Sequence, residues 1–285
     1  MSTIQQFLHD LAAYDFWRRA VIGALVVSTV CSLLSVYVVL RRMAFIGQGI
    51  SHSAFGGIAL GVLLFSGSAA AEPKIYITAL VFCLGVAFFI AATTRHTKIS
   101  EDSAIGIFFV VSMALGVIFF KSAKGYNQDV ASYLFGSIVA LTSTDLIAMI
   151  VLAPLVALPL LLFQKELLYY TFDEEMAAVS GIPVNFLHYM LLSLLSLTVI
   201  ICVRMVGIIL ISAFLILPGA IAQLVVQRFR PMVAVSVLTG VLSTLLGLAV
   251  SWYTDWPTGA AVVIIQFAVF IVVFVVRRAQ NRLSV

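Results

Sequence analysis

Phe45-Ile46-Gly47-Gln48-Gly49-Ile50-Ser51-His52-Ser53-Ala54-Phe55-Gly56-Gly57 lies inside an apolar run long enough to cross a bilayer, yet it carries glycines, serines, an amide and an imidazole. In lipid every backbone group must be satisfied within the segment or in a closed barrel, and no alternating barrel strands occur in this chain, so the run reads as a helix. On that helix Gln48 and His52, four residues apart, stack one turn apart on one face. A histidine inside a membrane span is costly to bury and is a functional-site candidate by default.

The surrounding composition places that helix in a membrane protein. Of 285 residues, 63% are hydrophobic and 10% charged, and the mean hydropathy is +1.17. A soluble domain carries about a quarter charged residues. The expected fold is therefore an all-α, polytopic membrane bundle, with residues 1–285 forming one transmembrane domain and no room for a sizeable soluble one. The net charge of +4 is spread through short connections, which fits membrane topology and not a nucleic-acid surface. Cys31, Cys83 and Cys202 sit in apolar runs without C-x-x-C spacing and read as small buried hydrophobes. Residues 1–17 lack the pattern of a signal peptide. Ile4, Phe7, Leu8, Leu11 and Tyr14 recur there at helical spacing, predicting a short amphipathic interfacial helix that ends in the aromatic anchor Phe16-Trp17.

About 20 apolar residues are needed per crossing. On that criterion spans fall near 19–40, 44–65, 75–94, 104–120, 144–163, 186–203, 206–226, 232–252 and 259–276. Only Arg204-Met205 separates the sixth run from the seventh, so eight spans plus a broken or re-entrant piece is the alternative. Pro218 in Ile216-Leu217-Pro218-Gly219 marks a structural kink or break in the seventh run. Counting Lys and Arg over nine spans puts Arg41, Arg42, Arg95, Lys98, Lys165, Arg228, Arg230, Arg277, Arg278 and Arg282 on one side. Arg18, Arg19, Lys74, Lys121, Lys124 and Arg204 fall on the other. The richer side is the cytoplasmic one, which places the C-terminus there.

Two connections exceed a turn. In residues 121–143 the mildly apolar piece 133–141 is too short to span and reads as interfacial or re-entrant. Residues 164–185 contain Phe172-Asp173-Glu174-Glu175-Met176-Ala177-Ala178-Val179-Ser180-Gly181-Ile182-Pro183. There Asp173 is a good N-cap, Glu174 and Glu175 charge the first turn favourably, and Gly181 closes a helix that Pro183 stops. A self-contained helix over 172–183 is either a docking element or a solvated loop helix.

No G-x-x-x-x-G-K-[ST] occurs, so no phosphate-cradling loop is present, and no metalloprotease or nucleophile-elbow motif appears. No catalytic residue is assigned. Asp145, His188 and Asp255 lie close to interfaces, where capping or solvation suffices, and Glu101 and Asp102 suit a helix N-terminus. His52 lies deeper. Imidazole nitrogen and amide oxygen both ligate borderline divalent cations, so His52 with Gln48 can be read as a metal site. On spacing alone, interhelical hydrogen-bond glue is the leading reading, and a proton relay is the third.

Across residues 16–276 an ordered set of segments resembles the permease subunits of bacterial manganese/zinc/iron ABC importers. The set is Phe16-Trp-Arg-Arg-Ala20, Leu40 through His52, Glu101-Asp102-Ser-Ala-Ile-Gly106, Tyr133-Leu-Phe-Gly136, Phe172 through Gly181, Val206-Gly207 through Ala222 and Asp255-Trp-Pro-Thr-Gly259. The resemblance implies the type II fold of vitamin B12 importers, with eight or nine transmembrane helices in the bacterial inner membrane. It also implies a homodimer with its substrate path on the two-fold axis, two cytoplasmic ATPase subunits and an extracytoplasmic metal-binding protein. The chain itself would then be no enzyme and hold no cofactor beyond the transported Mn, Zn or Fe ion. Residues 172–183 become the coupling helix, with Phe172, Asp173, Glu174, Glu175, Ala178 and Gly181 facing the ATPase.

In many members of the family an Asp stands where this chain has Gln48, and forms a transient metal site with the following His. His52 keeps the pattern and Gln48 departs from it, removing a carboxylate charge. Gly56 replaces a common proline and Ser35 a common glycine, which implies altered packing near the site. A permease for a chelated metal or other small solute, and an ion-gradient-driven secondary carrier, are the competing functions.

Overall fold

Each long apolar run forms a helix, and each helix ends where charge, glycine or proline interrupts it. The computed structural model describes residues 14–65, 71–123, 134, 136 and 141–283. The elements are α1 Asp15–Leu40, α2 Ala44–Phe65, α3 Ala71–His96, α4 Glu101–Ser122, α5 Ser143–Leu162, α6 Gln164–Phe172, α7 Glu174–Val179, α8 Val184–Val206, α9 Ile208–Phe214, α10 Leu217–Val225, α11 Phe229–Thr254 and α12 Thr258–Leu283. Eight of them are long and apolar enough to cross a membrane.

Ion pairs define the two ends of the bundle. Arg204, near the end of α8, pairs with Glu72 and Asp145 in the first turns of α3 and α5. Arg41, just past α1, pairs with Glu101 at the start of α4 and with Glu174. The chain leaves α8 at the Arg204 end. It re-emerges after α10 at the Arg41 end, where Arg228 and Phe229 line a groove with Gln164 and Lys165 and Phe229 meets the Tyr37 ring at 5.5 Å. Thus α9 and α10 together make one broken crossing. The two sequence readings coincide: eight unbroken crossings and a ninth made in two pieces, with no re-entrant turn in the seventh run.

The break has local causes. Gly207, at φ 83°, separates α8 from α9, and Pro218 sits in the first turn of α10, where its missing N–H costs nothing. The Ser35 hydroxyl accepts from the Gly219 N–H at 2.8 Å and donates to the Ile216 carbonyl at 3.2 Å. Ser35 therefore belongs to the break and not, as expected, to the surroundings of His52.

The first crossing starts at Asp15 rather than near residue 19, because the two arginines are accommodated: Arg18 pairs with Asp15 and Arg19 donates to Ser143 Oγ at 3.2 Å. Phe16 and Trp17 accordingly open α1 instead of closing a separate helix. Residues 1–13 of that expected helix lie outside the described residues, as does most of 133–141.

The core runs along α1, α2 and α8, all densely buried. Glycines bring α2 against its neighbours: a Cβ on Gly57 would lie 2.8 Å from Ala79 Cα in α3, and one on Gly56 2.6 Å from the Ser112 carbonyl in α4. Such close approach is how membrane helices gain packing energy where lipid is as apolar as the helix itself.

Candidate functional site

The serines flanking His52 are occupied. Ser51 Oγ lies 3.2 Å from Ser212 Oγ on α9, and Ser53 donates to Ser112 Oγ on α4 at 3.2 Å. Gln48 and His52 are left facing a different way. Gln48 is exposed and lines a groove of about 320 Å³ between α2 and α4, with Asp102, Gly106 and Phe109. The half-buried His52 ring packs edge-on against Phe109, centroids 4.8 Å apart, and its buried Nδ1 has no hydrogen-bond partner. Glue between helices is thus supplied by the serines, while an imidazole nitrogen and an amide stay uncommitted beside one groove. Among the described residues no group of three or more His, Cys, Asp or Glu could hold a metal ion.

The connection 164–185 folds into two helices, α6 and α7. Sequence reading placed one helix over 172–183; the structure ends α6 at Phe172 and confines α7 to Glu174–Val179. Its capping is as expected. Asp173 accepts from the Met176 N–H at 2.9 Å. Gly181, at φ +82°, turns the chain, so that the Ile182 N–H reaches the Ala177 carbonyl at 3.0 Å. Val179 (82% exposed), Phe172 (69%) and Met176 (50%) present apolar surface from this short unit. Glu175 and Ala178 are also exposed.

Sequence reading missed what anchors α7. Glu174 accepts from both terminal Arg41 guanidinium nitrogens at 3.3 Å and pairs with Arg95 at the end of α3. Arg41 also donates to the Tyr170 carbonyl at 3.0 Å and covers the Tyr170 ring at 3.9 Å. Arg95 donates to Tyr170 Oη at 3.0 Å, and that hydroxyl lies 2.8 Å from His188 Nδ1. Burial alone would raise the Glu174 carboxyl, but the bonds from Arg95 and Arg41 outweigh it and hold it below the ordinary range. Burial pushes the Tyr170 phenol upward. His188 corrects an expectation: it is 1% exposed and bonded on both nitrogens, to Tyr170 and to Thr94 Oγ1 at 3.3 Å, not solvated at an interface. Glu101, expected only to charge a helix terminus, also pairs with Arg41 at 3.6 Å. The readable signal was a charge balance: two arginines and two glutamates at span ends on one face of the membrane.

Asp145 does cap, in a box with Thr142, and is also held by Arg204. A larger cavity of about 420 Å³ opens there, but its charged groups Glu72, Asp145 and Arg204 are bonded to one another, so it offers no free ligand. Asp255 ends α11 in the left-handed region at φ 56°.

An all-helical bundle with an uncommitted polar face on one crossing and a charge-anchored helix protruding from one end defines a polytopic membrane permease. Residues 13–277 match the ABC 3 transport family, and the chain belongs to that family. It is 32% identical over 284 residues to "Manganese transport system membrane protein MntC" of Halalkalibacterium halodurans, covering all of this chain and 95% of the relative. It is 34% identical over 275 residues to "Chelated iron transport system membrane protein YfeD" of Yersinia pestis, covering 96% and 90%. Among solved structures, "PsaBC from Streptococcus pneumoniae in complex with Fab" superposes with a TM-score of 0.83 at 33% identity, over 95% of each chain.

Proposed function

We propose that this chain is the permease subunit of an ATP-driven importer of a divalent transition-metal ion. Manganese and iron, the metals in the relatives' names, stand ahead of zinc. The observation that carries the reading is the His52 imidazole, with its buried unpartnered Nδ1, packed on Phe109, which lines with Gln48 the groove between α2 and α4. One imidazole and one amide make a weak site for an ion in transit, and conduction requires that the ion be able to leave. Two copies of the chain, related by a two-fold axis, would present two such pairs to one path.

The Arg41 end carries ten of the sixteen basic residues, which supports a cytoplasmic Arg41 end and C-terminus in a bacterial inner membrane. The apolar side chains of Phe172, Met176 and Val179 then face an ATPase subunit, one for each copy of the chain. Alternating access follows: a binding protein delivers the ion at the Arg204 end, and ATP-driven motion of the anchored α6–α7 unit exposes His52 to either side in turn.

The test is ATP-dependent uptake of Mn²⁺, Fe²⁺ and Zn²⁺ into vesicles carrying the full complex. Wild type should import at least one bare ion, and His52→Ala should lower that rate by about tenfold or more, the loss expected on removing a metal ligand's contribution, while assembling normally. Equal rates would make His52 structural. Uptake driven by an ion gradient without the ATPase would favour a secondary carrier. The neutral Gln48 and the name of the Yersinia relative favour a second reading, a chelated ion, which import of metal chelates but no bare ion would establish.

A further inference from the structure

The groove holding Gln48 contains one carboxylate that the sequence reading set aside. Helices α2 and α4 run parallel in fixed register: Gly49 packs on Ile105 and, seven residues on in both helices, Gly56 packs on Ser112. That offset sets Asp102 about half a turn closer to the Arg41 end than Gln48. His52 lies about 6 Å deeper than Gln48, four residues at 1.5 Å each. Asp102, Gln48 and Phe109 line the same groove, and Phe109 closes it against the His52 ring.

Asp102 does not cap its own helix. Ser100 caps α4 by accepting from the Ser103 N–H, and Glu101 serves Arg41. Nor is Asp102 part of the lattice at this end, where Arg41 and Arg95 are balanced by Glu101 and Glu174. It is exposed and adds a net negative charge to a groove whose other polar lining group is a neutral amide. A divalent ion leaving an imidazole and an amide is attracted by a carboxylate oxygen, the ligand class that both hard and borderline cations accept.

We propose that Asp102 is the anionic residue of the cation path on the Arg41 side of His52, supplying from α4 the charge that Gln48 does not supply from α2. The inference rests on the cation-import reading above. It makes Asp102 a residue for selectivity between bare cations and neutral solutes.

The experiment measures Mn²⁺ uptake by the vesicle-reconstituted complex in wild type, Asp102→Asn, Asp102→Glu and the double variant Asp102→Asn with Gln48→Asp. Asp102→Asn should raise the half-saturating Mn²⁺ concentration roughly tenfold, the scale of removing one charge about 6 Å from a dication in an open groove of dielectric near that of water. Asp102→Glu should keep most of the affinity, and Gln48→Asp should restore much of what Asp102→Asn loses. Rescue by a carboxylate on a different helix is not expected of a helix-terminus or folding role. Unchanged uptake in Asp102→Asn, or loss that Gln48→Asp does not rescue in a complex of normal size and melting temperature, overturns the inference. If wild type itself imports no bare divalent ion, the import reading fails instead.

Discussion

The polar face of α2 and the lattice around Glu174 sit in the same bundle and are built on opposite rules. Along α2 the helix is held by missing side chains, with Gly56 and Gly57 in backbone contact with α4 and α3. Its candidate ligand stays unpaired: His52 Nδ1 is buried without a partner. Around Glu174 two guanidinium groups, two carboxylates, a phenol and an imidazole are joined in one connected set, with only Nε of Arg41 and of Arg95 left without a partner among its buried side-chain atoms. An ion in transit needs ligands that are free and fit only loosely. A helix that transmits motion needs to be fixed to the spans it moves. On the proposed function, this difference in pairing would separate a conducting element from a mechanical one.

The strongest way to break this contrast is to give α2 a side chain. Gly57→Leu would put its Cβ 2.8 Å from Ala79 Cα and 3.0 Å from the Ala79 carbonyl, and backbone, unlike a rotamer, has nowhere to turn. We expect destabilisation at or beyond the ~3 kcal/mol upper range for overpacking, seen as loss of the monodisperse peak in size-exclusion chromatography. A Gly57→Leu protein with wild-type melting behaviour would show that α2 is not held by close approach.

The lattice should break less completely. Glu174→Ala strips the shared carboxylate from Arg41 and Arg95, at a cost of about 1–3 kcal/mol, since Glu174 is partly exposed and water screens the loss. A lower melting temperature and weaker co-purification with the ATPase should result, while the exposed neighbour Glu175→Ala changes stability little. The same carboxylate gives a pH dependence. Its folded value is held below the ordinary 4.5, so its stabilisation is complete above that pH and disappears as pH falls through the folded value. Melting temperature should therefore be insensitive to this group from neutrality down to about 4.5 and should drop more steeply below it in wild type than in Glu174→Ala. Parallel acid limbs in the two proteins would remove Glu174 from the lattice.

Much of this was readable before any coordinates. Hydropathy gave the crossings to within a few residues, and Pro218 announced the broken one, because a missing N–H group is a local property. The caps Asp173 and Gly181 were legible for the same reason. The partners were not. Glu174 meets Arg41 and Arg95 across separations of 133 and 79 residues, and no periodicity encodes which span ends adjoin. His188 read as an interfacial histidine because its depth depends on α6 folding over it, an element that passed for loop. Asp102 read as a helix-terminus charge for a related reason: only the register of α4 on α2 puts it in the groove with Gln48.

The finest test of the saturation rule is a single oxygen. Arg95 donates to Tyr170 Oη, so the phenol proton is free to go to His188 Nδ1. That leaves His188 Nε2 to donate to Thr94 Oγ1, whose own proton goes to the Ile90 or Ala91 carbonyl. From the Arg95 terminal nitrogen to Thr94 each donor has an acceptor. Tyr170→Phe deletes the middle of it yet keeps the ring beneath Arg41. It orphans one Arg95 N–H and His188 Nδ1, a loss of about 1–2 kcal/mol, or a few degrees of melting temperature, with transport retained because Glu174 still ties α7 to both arginines. If Tyr170→Phe melts as wild type does, the phenol bridges nothing of consequence, and the lattice reduces to its ion pairs. If instead it melts as wild type but transports poorly, the hydroxyl serves the motion and not the anchoring, and the division between conducting and mechanical elements would need redrawing at α6.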